Sequence, residues 1–195
     1  MADRLDPILP GSYLGILGGG QLGRMFTHAA QAMGYKVCVL DPDLNSPAGA
    51  VAEKHIQADY VDHAALKEMA SICQAVSTEF ENVPAQALDE LEALGVYVAP
   101  TSSGVSVAQN RVAEKKFLAT WKDEAGIGPA PHLVIEHDSD IAHVPDDLFP
   151  GILKTARMGY DGKGQVTVHT RDELSQAWEK FNRVICVLEK RMDLD

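Results

Sequence analysis

A lysine followed by a glycine-rich segment is the part of this sequence best suited to chemistry. Residues 154–165 read KTARMGYDGKGQ, with Lys154 at the start and Lys163 between two glycines. Alternating apolar residues flank the segment, so it is predicted to be the loop of a hairpin between strands at 151–155 and 165–169. Glycine has no Cβ and readily adopts positive φ, so such a loop can bring backbone N–H groups close to an anion. The pattern favours a polyphosphate ligand, although a mobile surface turn would have the same composition.

A second glycine-rich motif, GGGQLG at residues 18–23, follows a short apolar strand at 13–17. The next residues predict a helix because their apolar side chains recur every 3.6 residues. A second strand at 36–40 ends at Asp41, about 20 residues after the motif, as in dinucleotide-binding proteins. The same turn could hold another phosphate at the helix N-terminus, or its glycines could simply allow close strand-to-helix packing.

Two carboxylates follow a third predicted strand, at residues 75–78. Glu79 and Glu81 would lie at the carboxyl end of that strand, where Rossmann-like sheets bind their ligands. A solvated turn is the alternative interpretation.

The remaining patterns complete a two-domain α/β prediction with a parallel sheet first. Residues 1–100 are predicted to be a Rossmann-like domain after a loose leader at 1–10, and residues 101–195 a small mixed α/β domain. Residues 100–104 form the predicted boundary, and Thr170 with Glu173 has the form of a capping box. The further predicted strands are 58–62, 96–99, 132–136 and 184–189, and the further helices are 64–70, 85–94, 107–123 and 170–181.

Composition narrows the functional class. The 195 residues carry 17 basic and 28 acidic side chains, a formal charge of −11, which argues against a nucleic-acid surface and favours small-molecule partners. Three distant cysteines in apolar runs are typical of reduced thiols in a cytoplasmic protein. No signal peptide is recognisable, and no apolar run approaches the roughly 18–20 residues of a membrane helix. The histidines and cysteines show no metal-binding spacing, and there is no serine-hydrolase motif.

Taken together, the motifs resemble the ATP-grasp enzymes of purine synthesis. They occur in the order and at the spacing of that family, and are closest to the branch that carboxylates 5-aminoimidazole ribonucleotide. The resemblance covers essentially the whole chain and rests on GGGQLGRM at 18–25, TEFE at 78–81, QNR at 109–111, Lys154 and GYDGKGQ at 159–165.

The resemblance implies three domains: a biotin-carboxylase-like Rossmann domain, a small mixed domain and a C-terminal ATP-grasp domain, with ATP between the last two. It implies substrates ATP, bicarbonate and 5-aminoimidazole ribonucleotide, with positioning residues rather than a covalent catalyst. By the same resemblance, the ribonucleotide would be bound by Gly20, Gln21, Leu22, Glu79 and Glu81. The nucleotide would be bound by Arg111, Lys154, Gly159, Tyr160, Asp161, Gly162, Lys163, Gly164, Gln165, Glu189, Lys190, Arg191 and Met192.

Members of this family continue for roughly as many residues again, and their Mg²⁺ ligands and part of the ribonucleotide site and dimer surface lie there. The sequence is therefore expected to be a truncated form, without its C-terminal ATP-grasp domain and without turnover of its own. Two other interpretations stay open. One is a different ATP-grasp ligase, such as formate-dependent glycinamide ribonucleotide transformylase, which usually has Glu at the position of Gln21. The other is a non-catalytic nucleotide-binding module, and a dehydrogenase is a more distant possibility.

Overall fold

A parallel five-stranded sheet is the centre of the first of two structural units. The computed structural model describes residues 7–159 and 163–192, and the chain divides into the units Met1–Ser106 and Val107–Asp195. In the first unit the strand order is β3-β2-β1-β4-β5 and all pairs are parallel, as the sequence predicted. The strands are β1 (Tyr13–Leu17), β2 (Lys36–Leu40), β3 (Lys54–Ile56), β4 (Cys73–Thr78) and β5 (Tyr97–Val98).

Helices α1 to α4 connect these strands or follow the last of them. They are α1 (Gln21–Ala32), α2 (His63–Ile72), α3 (Ala85–Ala93) and α4 (Ser102–Ala108). Strands β1 and β2 read YLGIL and KVCVL and are almost continuously buried, as is usual for parallel strands covered on both faces.

Helix α1 packs mainly through small residues, together with the half-buried Phe26. Its buried residues are Gly23, Thr27 and Ala30, whereas Leu22 and Met25 are 62% and 66% exposed. The apolar spacing therefore predicted the helix but not which side faces the sheet.

One predicted strand in this unit is wrong. Residues 58–62 form a turn, closed by the Asp62 N–H donating to the Asp59 carbonyl at 3.0 Å. The strand lies earlier, in β3, whose residue Lys54 pairs with Cys38 of β2. The Asp62 carboxylate instead caps helix α2, accepting from the Ala65 N–H at 2.8 Å.

The second unit is built on a four-stranded antiparallel sheet of order β6-β9-β7-β8. Strands β7 and β8 form the predicted hairpin, and helix α8 covers one face of the sheet. The core on that face contains Leu153, Leu174, Trp178 and Leu188. The strands are β6 (His132–Ile135), β7 (Gly151–Thr155), β8 (Gln165–Val168) and β9 (Cys186–Lys190); the helices are α5 (Arg111–Thr120), α6 (Lys122–Ala125), α7 (Asp138–Ala142) and α8 (Arg171–Lys180).

The single helix predicted over residues 107–123 is wrong, because the chain forms separate helices there. Helix α4 ends at Ala108, and Asn110 caps α5, its side-chain oxygen accepting from the Val112 N–H at 3.0 Å. Large apolar side chains of α5 and of the residue that follows it are exposed, with Phe117 at 50% and Trp121 at 49%. None of the described helices has the length and apolarity needed to cross a membrane.

Candidate functional site

Two lysines share one carboxylate on the face of the antiparallel sheet opposite its core. In the β7–β9 register, Ile152 faces Glu189 and Lys154 faces Val187, so Lys154 and Glu189 project from the same face. Lys154 Nζ donates to Glu189 Oε2 at 2.8 Å, and Lys115 Nζ of α5 lies 3.1 Å from Oε1. The side chains of Lys115 and Glu189 are each only 12% exposed. We call these three residues the two-lysine cluster.

The cluster carries more positive than negative charge. Burial alone would raise the pKa of Glu189, but the hydrogen bonds from Lys154 and Lys115 outweigh it and hold that pKa below its ordinary value of 4.5. Glu189 is therefore ionised at neutral pH, and two ammonium groups surround one carboxylate. The net positive charge of the cluster is partly shielded from water, so it favours binding of an anionic ligand.

Arg111, the first residue of α5, lies beside the glycine-rich loop. Its backbone N–H donates to the Ala156 carbonyl at 2.9 Å, and its Nη2 lies 3.4 Å from the Gly159 carbonyl. Within the described part of the chain its Nε is buried and makes no hydrogen bond. Because a buried donor without an acceptor is unfavourable, this guanidinium is suited to receive an acceptor such as a phosphate oxygen.

The base of the loop is a tight hairpin. The Thr155 N–H donates to the Gly164 carbonyl at 2.8 Å, and Lys154 pairs with Gln165. Gly164 has φ of +71°, and a Cβ there would lie 2.6 Å from Thr155 Oγ1, so this position requires glycine. Lys163 belongs to the same turn. The predicted ligands Tyr160, Asp161 and Gly162 lie outside the described residues.

The predicted hinge, residues 189–192, comprises the last two residues of β9 and the two residues after it. The Lys190 N–H donates to the Pro131 carbonyl at 2.8 Å and the Arg191 N–H to the Pro150 carbonyl at 3.0 Å. These two donors are therefore already used, and a ligand here would have to bind other groups, such as those of the half-exposed Met192.

A mainly apolar cavity of about 630 Å³ adjoins the loop base. It contains Gly164 among the predicted site residues but neither Lys154 nor residues 189–192. It is lined by Asn110, Val112, Glu136, Thr155, Ala156, Arg157, Met158, Gly164, Val184 and Ile185.

In the first unit, a buried aspartate binds the start of the glycine turn. Asp41 Oδ2 accepts from the Gly19 N–H and from the Tyr60 hydroxyl, both at 2.7 Å, and Oδ1 accepts from the Asp43 N–H at 2.8 Å. Burial and the bond to Asp41 raise the pKa of Tyr60, which keeps its hydroxyl a donor. Asp41 is thus engaged internally, so it is not available for the ribose contact of a dinucleotide site.

Glu79 occupies the N-terminus of α1. Its Oε1 accepts from the Gly20 N–H at 3.0 Å and its Oε2 from the Gly23 N–H at 2.6 Å, while its own N–H donates to the Leu17 carbonyl. A carboxylate there is favourable because the helix dipole and the first N–H groups attract negative charge. The turn thus binds an anion that belongs to the chain itself.

The structure brings four of the five predicted ribonucleotide ligands together. Gln21 and Leu22 begin α1 beside the Gly20–Glu79 contact, and both side chains are exposed. Glu81 lies in the following turn, where it is exposed and accepts from the Asn82 side chain at 3.2 Å.

Sequence reasoning missed Lys115 and the structural role of Asp41. Lys115 follows Arg111 by four residues, so both side chains lie on the same side of α5. That spacing was a usable signal. Among the residues that the structure describes, no group of three or more His, Cys, Asp or Glu side chains is placed to bind a metal ion.

Comparisons with known proteins assign both units. The family described as the ribonucleotide synthetase preATP-grasp domain matches residues 12–109, and the ATP-grasp domain family matches residues 121–195. The N5-carboxyaminoimidazole ribonucleotide synthase of Brucella melitensis is 42% identical over 92% of this chain and 49% of its own length. The chain spans about half the length of the curated relatives it matches.

Solved structures agree with this assignment. N5-carboxyaminoimidazole synthetase from Staphylococcus aureus, complexed with ADP, has a TM-score of 0.87 at 35% identity and matches 98% of this chain and 50% of its own. The synthase from Aspergillus clavatus, in complex with ADP and 5-aminoimidazole ribonucleotide, has a TM-score of 0.78 at 29% identity, matching 92% of this chain and 46% of its own. The sequence-based resemblance is thereby confirmed, and the chain belongs to the ribonucleotide synthetase family of ATP-grasp proteins.

Proposed function

We propose that this chain supplies the ribonucleotide-binding unit and the small nucleotide-binding unit of an enzyme that carboxylates 5-aminoimidazole ribonucleotide with bicarbonate and ATP. The product is N5-carboxyaminoimidazole ribonucleotide, an intermediate of purine synthesis. The observation that carries the proposal is the conjunction of the two-lysine cluster with the Arg111 Nε, which has no hydrogen-bond partner among the described residues and belongs to a side chain beside the glycine-rich loop. The names of the related proteins and their complexes support the choice of substrates.

In this proposal the second unit binds ATP. Lys154 and Arg111 contact phosphate oxygens, and backbone N–H groups of the glycine-rich motif are the further donors. Residues 189–192 bind the adenine through backbone groups of Lys190 and Met192 other than the Lys190 N–H, which donates to the Pro131 carbonyl.

The first unit binds 5-aminoimidazole ribonucleotide. Because Glu79 already accepts from Gly20 and Gly23, its carboxylate lone pairs, rather than free backbone N–H groups, are directed at the ligand. A carboxylate accepts hydrogen bonds from hydroxyl or amine groups, which the ribonucleotide supplies. Gln21 and Leu22 add an amide and an apolar contact at the helix start, and Glu81 is a secondary partner.

The chemistry requires activation of bicarbonate, which is a poor electrophile. A bicarbonate oxygen attacks the γ-phosphorus of ATP, ADP leaves, and carboxyphosphate forms. The substrate amine then attacks the carboxyl carbon, inorganic phosphate leaves, and the amine loses a proton. The protein contributes positioning and charge neutralisation, which suit Lys154, Arg111 and the loop amides, and no covalent catalyst is required.

Members of this family use Mg²⁺ with ATP. The described residues do not fit a metal site, since they contain no group of three or more His, Cys, Asp or Glu side chains that could bind an ion. We further propose that the complete protein is a cytoplasmic homodimer, as its family suggests.

Ligand-induced thermal shift tests the proposal, since a ligand that binds the native state stabilises it by RT ln(1 + [L]/Kd). We expect ADP or ATP and 5-aminoimidazole ribonucleotide each to raise the melting temperature, and NAD to leave it unchanged. A shift with glycinamide ribonucleotide in place of the aminoimidazole compound would instead indicate the transformylase activity. A shift with NAD alone would contradict the proposal.

A further inference from the structure

We propose that Lys115 is a positioning residue that keeps Glu189 paired when Lys154 turns from that carboxylate to a phosphate of the bound nucleotide. The inference rests on the proposed function of the second unit and assigns a role to a residue outside the predicted ligands. It follows from how the two lysines divide the carboxylate between them.

Each lysine uses its own oxygen of Glu189. Lys154 Nζ lies 2.8 Å from Oε2, and Lys115 Nζ lies 3.1 Å from Oε1. Departure of Lys154 would therefore leave the contact between Lys115 and Oε1 in place. Without Lys115, the same movement would leave a buried carboxylate with neither of its cations, which is strongly unfavourable.

Lys115 is held where this role requires it. It lies one helical turn after Arg111, whose backbone N–H is fixed to the Ala156 carbonyl, so α5 is anchored at that end. Its side chain is 12% exposed, against 23% for Lys154. The more exposed Lys154 is thus better placed to reach a ligand, and the more buried Lys115 to remain with Glu189.

The charges of the cluster also indicate that Lys115 stays with Glu189 while Lys154 binds the phosphate. The free cluster has two cations and one anion, so one positive charge exceeds what Glu189 needs. A phosphate that binds Lys154 takes this excess charge, and the remaining Lys115–Glu189 pair is neutral. With a single lysine, phosphate and Glu189 would compete for the same ammonium group.

Titration calorimetry with ADP tests the inference on the full 195-residue chain. The variants are Lys115→Met, the double variant Lys115→Met with Glu189→Gln, Glu189→Gln alone, and Lys116→Met as a control on the exposed neighbouring lysine. We expect Lys115→Met to weaken ADP binding about tenfold, and Lys116→Met to change it less than about twofold. In the Glu189→Gln background, where no carboxylate needs a partner, Lys115→Met should change the affinity less than about threefold.

Equal losses in the two backgrounds would overturn the inference, because Lys115 would then act on the nucleotide independently of Glu189. If Glu189→Gln alone prevents ADP binding, the double variant cannot be compared with it, and the affinity of Lys115→Arg for ADP tests the inference instead. Arginine can keep the charged contact, so binding within about threefold of the parent supports the inference and a tenfold loss overturns it. If the Lys115→Met variant binds ADP as tightly as the parent chain does, this inference alone is overturned. If the parent chain does not bind ADP, the proposed function is overturned as well.

Discussion

The two glycine-rich motifs of this protein differ in what their donors already bind. In the turn at residues 18–23, the N–H groups of Gly19, Gly20 and Gly23 donate to two carboxylates of the chain. In the two-lysine cluster, which includes the lysine that precedes the loop at residues 159–165, two lysines share one carboxylate, and one Arg111 donor has no partner within the described residues. The first motif has its anion built in, and the second is suited to take one from solution.

This difference shows that a glycine-rich sequence does not by itself define a phosphate site. Both motifs have backbone N–H groups and glycines that allow close approach, and both are compatible with an anion from sequence alone. What separates them is the placement of acidic and basic side chains that come from distant parts of the chain.

The largest effect is expected from Lys154→Met. Loss of this ammonium group removes a charged hydrogen bond to phosphate, so ADP affinity should fall about 10- to 100-fold in titration calorimetry. Lys180→Met, on the exposed side of α8, is the control and should leave the affinity unchanged. If the Lys154 variant bound ADP as tightly as the parent chain, the second motif would not differ from the first in its use of a cation to bind phosphate.

Gly23→Ala should disturb the first motif through packing. A Cβ at Gly23 would lie 2.7 Å from the Gly18 carbonyl oxygen, a backbone atom that cannot move easily. We expect the free energy of unfolding to fall by about 1–3 kcal/mol in urea denaturation.

Gly104→Ala, within helix α4, is the matched control. A Cβ at Gly104 would meet only Thr101 Oγ1, at 3.3 Å. Better helix propensity should leave that variant neutral or more stable by up to about 1 kcal/mol. Equal destabilisation by both alanines would mean that the close approach at Gly23 is unimportant.

Glu79→Ala tests whether the carboxylate caps the glycine turn. The variant leaves the Gly20 and Gly23 N–H groups without their acceptor, so we expect a loss of about 1–2 kcal/mol of unfolding free energy. Asp89→Ala, at an exposed position on α3, should change stability by less than about 0.5 kcal/mol. A Glu79 variant as stable as the parent would show that water replaces the carboxylate without penalty.

The smallest effect concerns the acid stability of the two-lysine cluster. The pKa of Glu189 is lowered in the folded state, so its ionised form adds stability above the ordinary value of 4.5. That contribution is lost as the pH falls below 4.5 and through the folded-state pKa. Urea denaturation from pH 6 to pH 3 should therefore show a smaller acid-dependent loss in Glu189→Gln than in the parent, and identical slopes would contradict the prediction.

Much of the fold could be predicted because local patterns determine it. The apolar runs of β1, β2 and β7, the glycines between elements and the capping box at Thr170 are signals carried by neighbouring residues. The strand at residues 54–56 was missed because it is short and depends on pairing with β2. The break at Asn110 was missed because the apolar spacing continues across it.

The candidate site was predictable only in part. Lys154, Arg111 and Glu79 belong to motifs, so a family resemblance could find them. Lys115 contacts Glu189 across 74 residues of sequence, and its four-residue spacing from Arg111 was the signal that could have indicated it. Asp41 contacts Gly19 across 22 residues, and no local pattern indicates that contact.

Amide chemical-shift mapping during an ADP titration tests the central claim most directly. We expect saturable shifts in the second unit, near Arg111, Lys154 and residues 163–165. The amides of Gly19, Gly20 and Gly23 should stay unchanged because Asp41 and Glu79 already bind them. Shifts concentrated at those three glycines, with the second unit unaffected, would contradict it.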